Sequence, residues 1–139
     1  MERNKTVNKN LYTILAKTGE IDLSSYNKTL LDKKIIIIKS NFHNEITLSI
    51  VFDFLNSLPD DLRNVTGVIE APGSFEIPLI IKKILQKYNP DIILAIGCII
   101  KGDTKHNEYL ASTIINALNN LSLEFTTPII NGVLTTENT

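Results

Sequence analysis

The sequence predicts an α/β domain: a parallel sheet of four main strands in three layers, with helices on both faces. Three observations lead there. Four short apolar runs, at residues 35–38, 65–69, 92–96 and 129–134, are rich in β-branched residues in the manner of strands buried on both sides. Segments of helical apolar period separate each run from the next. Strands separated by whole helices cannot form hairpins, so they pair in parallel through right-handed crossovers.

The composition admits this fold. At 139 residues, 43% hydrophobic and 21% charged, the chain has the size and balance of one globular domain, not of a disordered segment or a disulfide-framed miniprotein. The net charge of −1 gives no reason to expect nucleic acid or an anionic membrane as partner. Cys98 is the single cysteine, which excludes an intrachain disulfide and a thiolate-rich metal site. No apolar run reaches the length of a signal peptide or a membrane span. The expectation is a soluble, cytoplasmic protein.

Residues 1–33 are polar and irregular and read as an N-terminal arm, with the α/β domain over 34–139. After the first strand, Ile46, Ile50, Val51, Phe54, Leu55 and Leu58 recur at helical spacing behind Asn44 as N-cap, and Pro59 stops the helix. After the second strand, Pro78 suits a first helical turn and Ile77, Ile81, Ile84, Leu85 and Tyr88 form one stripe ahead of Asn89-Pro90. The third helix spans about 107–123, with Leu110, Ile114, Ala117, Leu118 and Leu121 inward. After the last strand, Thr135-Thr136-Glu137-Asn138 is a helix-start signal, one residue from the end of the sequence.

Ligands of an open parallel sheet bind beyond the carboxyl ends of its strands, and there the sequence departs from bland loop composition. Gly102-Asp103-Thr104, flanked by Lys101 and Lys105, reads either as an anion-binding turn at a helix start or as an ordinary strand-to-helix turn with an N-cap. His106 is either a proton carrier beside that turn or a surface histidine. His43 is the only other histidine, and no carboxylate stands at ligand spacing, so no metal is expected. Phe42 offers a stacking surface for a flat heterocycle, or a lid over a helix entry. Gly73-Ser74-Phe75-Glu76 combines a permissive backbone with a carboxylate at a helix start, suited to a polyol and to heterocycle edges; helix-dipole complementation alone also accounts for Glu76.

In this order, the segments resemble the lumazine synthases of riboflavin biosynthesis. The likeness covers residues 34–138. It is carried by Ala71-Pro72-Gly73-Ser74-Phe75-Glu76-Ile77-Pro78, by Gly97-Cys98-Ile99-Ile100-Lys101-Gly102-Asp103-Thr104-Lys105-His106, and by Gly132-Val133-Leu134-Thr135-Thr136-Glu137. The resemblance implies a flavodoxin-like fold and the condensation of 5-amino-6-ribitylamino-pyrimidinedione with 3,4-dihydroxy-2-butanone 4-phosphate, without cofactor or metal. It implies that Phe42 stacks on the pyrimidine; that Gly73, Ser74, Phe75 and Glu76 hold the ribityl chain and ring edge; and that Ile99 and Ile100 line the pocket. Lys101, Gly102, Asp103 and Thr104 would meet the phosphate, and His106 would move protons. It implies homo-pentamers, in some relatives packed further, with each site shared between neighbouring subunits.

Three departures stand out. The family's usual Arg-Phe-Asn at the first strand end is Asn41-Phe42-His43. The fourth-strand position facing the neighbour's site, usually aromatic, is Asn131. The family's next helix carries an arginine for the substrate phosphate, followed by a lysine-bearing loop and a final helix. None of these is in the 139 residues, so a C-terminally shortened sheet is expected, and neither Arg3 nor Arg63 stands in a matching position. A hydrogen bond to a charged group contributes about 1.5–3 kcal/mol, so phosphate binding is expected to be weaker by roughly ten- to a hundredfold. The alternative is a non-catalytic oligomeric assembly or flavin-like ligand-binding module.

Overall fold

The computed structural model describes residues 33–100 and 106–137; the expected arm, apart from Lys33, lies outside them. The chain runs β1 (Ile35–Ser40), α1 (Asn44–Ser57), α2 (Asp60–Asn64), β2 (Thr66–Ala71), a 3-10 turn (Ser74–Glu76), α3 (Ile77–Lys87), β3 (Ile92–Ile100), α4 (His106–Phe125) and β4 (Ile129–Thr136). The strands form one four-stranded sheet in the order β2-β1-β3-β4, every neighbouring pair parallel.

That order places the helices. The crossover from β1 to β2 steps one way along the sheet, while those from β2 to β3 and from β3 to β4 step the other way. With right-handed crossovers, α1 lies on one face and α3 and α4 lie side by side on the other. The central strand β1 is covered on both faces, and all six of its residues are buried. Ile36, Ile37, Ile38, Leu55, Ile81 and Ile84 are without solvent exposure, and burying each aliphatic side chain contributes about 1.5–3 kcal/mol. On α4, the spacing of Ile114, Leu118 and Leu121 turns all three onto the core.

The structure corrects several local expectations. Each strand runs beyond its apolar run, because ladder hydrogen bonds depend on the backbone and continue through Lys39, Ser40, Glu70, Thr135 and Thr136. The N-cap of α1 is His43, not Asn44. His43 is in the left-handed region (φ 59°), and its carbonyl accepts the N–H groups of Ile46 (3.0 Å) and Thr47 (3.1 Å). Asn44 does not cap because its Oδ1 accepts from Lys39 Nζ. Pro59 begins a second short helix instead of merely ending the first. Arg63 on that helix reaches back to donate to the carbonyls of Leu55 and Leu58, at 2.9 Å each, which satisfies the open end of α1. This arginine is occupied by the scaffold.

The two outer strands differ. All six residues of β2 are buried. On β4, Ile130 and Leu134 are nearly half exposed, and they lie on the face covered by α1, because the missing Cβ of their strand neighbour Gly132 points toward Ile96. No described helix is long and apolar enough to cross a membrane.

Leu55 sits where α1 meets the sheet and has no solvent access. Leu55→Ala is expected to lower the unfolding free energy by about 2–5 kcal/mol, measured as a shift in urea midpoint at constant slope.

Candidate active site

The carboxyl ends of β1, β2 and β3 converge on a cavity of about 400 Å³. Its lining is Phe42 and His43 from the turn after β1; Gly73, Ser74, Phe75 and Glu76 after β2; Cys98, Ile99 and Ile100 from the end of β3; and Asn107 and Leu110 from the first turns of α4. Seven residues singled out in the sequence thus share one concavity: Phe42, Gly73, Ser74, Phe75, Glu76, Ile99 and Ile100. Volume, apolar floor and a few polar groups are those of a small-molecule site.

Phe42 is 65% exposed, so it is not a lid packed into the helix entry. Its ring meets the His43 imidazole edge-on, with centroids 4.4 Å apart and planes at 65°, and this pair forms the aromatic wall. The opposite loop is tied to the same wall: Asn41 N–H donates to the Ala71 carbonyl at 2.7 Å, linking the ends of β1 and β2.

Two glycines border the site, and at one of them the missing Cβ makes room. The Glu76 carboxylate folds back over Gly73, where a Cβ would stand 3.5 Å from Oε1, an ordinary van der Waals contact. A Cβ on Gly97 would clash with Ser74 Oγ and lie 3.3 Å from Ser74 Cβ and 3.5 Å from Ser40 Oγ. Ser74 is buried against that gap. Pro78 stands in the first turn of α3, where a missing N–H costs nothing.

Sequence reasoning did not single out Asn107. Its amide donates to the Ile100 carbonyl, fastening the start of α4 to the end of β3. Its place beside His106 was the available signal. Cys98 is buried and borders the cavity, and burial pushes its thiol pKa up.

His106 is the first residue of α4 and is exposed, outside the lining of this cavity. Asn131 lies on β4, also outside it, and its Oδ1 accepts the Val133 N–H at 3.0 Å. Lys101, Gly102, Asp103 and Thr104, the expected phosphate turn, lie outside the described residues.

Residues 32–139 match the family model described as 6,7-dimethyl-8-ribityllumazine synthase. The chain belongs to this family. It is similar to the 6,7-dimethyl-8-ribityllumazine synthase of Desulfosudis oleivorans, at 33% identity over 128 residues, which is 88% of this chain and 76% of the relative. Against the protein of that name from Leuconostoc mesenteroides, identity is 36% over 118 residues, 81% of this chain and 75% of the relative. With that from Metallosphaera sedula it is 33% over 101 residues, 73% and 67% respectively. The lumazine synthase family accounts for the four-stranded parallel sheet and its flanking helices.

Two outcomes are expected from the site's packing. Gly97→Ala should destabilise the fold by about 1–3 kcal/mol through overpacking, and adding Ser74→Ala should recover part of the loss by removing the clashing hydroxyl, both read by thermal melting. Cys98 should react with iodoacetamide at pH 8 at least about tenfold more slowly in the folded chain than in urea, since the thiolate is the reactive form and burial disfavours it.

Proposed function

We propose that this chain condenses 5-amino-6-ribitylamino-pyrimidinedione with 3,4-dihydroxy-2-butanone 4-phosphate to give 6,7-dimethyl-8-ribityllumazine, with release of phosphate and water, as a step of riboflavin biosynthesis. The observation that carries the reading is the shared concavity, in which an aromatic wall, a glycine-serine loop with a carboxylate and an apolar floor meet in a member of this family.

Phe42 stacks on the pyrimidine. The main chain of Gly73, Ser74 and Phe75 and the Glu76 carboxylate hold the ribityl hydroxyls and ring edge, and Ile99 and Ile100 form the floor. Lys101, Gly102, Asp103 and Thr104 hold the phosphate of the four-carbon substrate. The amine attacks the ketone and a first water leaves as the imine forms; phosphate is then eliminated, and the second nitrogen closes the ring on the remaining carbonyl with loss of a second water. His106 carries protons through these steps. Holding both reactants in register supplies much of the acceleration, up to roughly 7–11 kcal/mol in favourable cases, so neither metal nor cofactor is invoked. The working unit is a cytoplasmic homo-pentamer in which Asn131 faces the neighbouring subunit's site.

The test is to mix both substrates with the full chain and follow lumazine fluorescence. His106→Ala is expected to slow turnover by about 10²–10⁴-fold. Phe42→Ala should raise KM for the pyrimidine with a smaller effect on kcat. Binding of the pyrimidine with no product at saturating phosphate substrate would overturn catalysis and leave the binding-module reading.

A further inference from the structure

The proposed chemistry makes no use of an ammonium group beneath the cavity's aromatic wall. Lys39, near the carboxyl end of β1, has 0% exposure. Its Nζ donates to Asn41 Oδ1 at 3.3 Å and to Asn44 Oδ1. Glu70 stands beside it in register on β2. Burial lowers the lysine's pKa, and the Glu70 charge opposes that shift.

Such an ion is a poor device for stability, because the cost of desolvating it can exceed the Coulombic gain. On the same face of β1, Ile35 and Ile37 fill the corresponding space with hydrocarbon. The cation does what hydrocarbon cannot: it grips two amide oxygens, one on each side of Phe42 and His43. The turn between them needs holding, since His43 is a non-glycine residue at φ 59°, a left-handed conformation that crowds its Cβ. Two further bonds brace the same turn: Ser40 Oγ donates to the Phe42 carbonyl at 3.3 Å, and Thr47 Oγ1 donates to the Ser40 carbonyl at 2.8 Å.

We infer that Lys39 is a positioning residue, whose buried ammonium clamps Asn41 and Asn44 so that the Phe42 and His43 rings stand as a fixed wall for a planar heterocycle. The nature of the heterocycle rests on the proposed function; the clamp does not.

The test compares the full chain with Lys39→Met/Glu70→Gln, which removes the ion without stranding its neighbour, using three readouts: urea midpoint, the NOE between the Phe42 and His43 ring protons, and the Kd for riboflavin as a flat, ribityl-bearing probe. The expected result is a midpoint equal to or above wild type, loss of the inter-ring NOE, and affinity weakened by about tenfold, the scale of one charge-assisted hydrogen bond. Phe42→Ala added to that variant should then cost little further affinity. A folded variant that keeps both the NOE and the affinity overturns the clamp. Should the double variant fail to fold, Asn44→Ala leaves the Lys39–Glu70 pair in place and decides the matter through the same NOE. Absence of riboflavin binding by the wild-type chain would count against the proposed function alone, because the NOE still reports on Lys39.

Discussion

Everything at the site hangs from the double pairing of β1. This strand is hydrogen-bonded in parallel to β2 on one side and β3 on the other, and Lys39 and Ser40, not its run of isoleucines, distinguish one register from the next, since a one-residue slip would turn them onto the wrong faces. The ends of β1 and β2 lie level, with Ser40 opposite Ala71, while β3 runs on past them to Ile100 and forms the floor between the loops. The Asn41–Ala71 backbone bond adds a cross-tie just above the sheet, so the turn after β1 and the loop after β2 move as one body.

Such a rigid frame suits chemistry in which little is asked of any single side chain. The walls are rings, backbone groups and one carboxylate, and the floor is aliphatic. Under the proposed function such a frame works by fixing the angle between two reactants, and its demands fall on packing. The absent Cβ at Gly97 serves that end, since it seats Ser74.

Much of this was legible in the sequence because it is written in periodicity. Buried β-branched runs, a helical stripe such as Ile114, Leu118 and Leu121, and punctuation by Pro78 are local signals, and the strand ends stood out by composition. What was not legible depends on pairing between distant residues. Lys39 and Ser40 look like a strand's exit, yet both belong to β1 and are buried, because β2 and β3 continue beside them. Asn44 looks like a cap, but a buried lysine five residues earlier takes its oxygen. Nor does local spacing show that Arg63 is taken up by two carbonyls from the end of α1. Asn107 joins the site only because α4 begins directly against the end of β3.

The unequal outer strands carry a dynamic consequence. Local opening in a folded domain begins where burial is thinnest, and in this sheet that is β4, with Ile130 and Leu134 half uncovered, not the buried β2. Yet β4 runs alongside the full carboxyl half of β3, pairing Thr135 with Ile99 and Thr136 with Ile100. Fraying of the least protected strand therefore reaches the cavity floor first, while the aromatic wall above β1 is shielded from it. The floor of the cavity is thus tied to the least protected strand, and its wall to the best protected one.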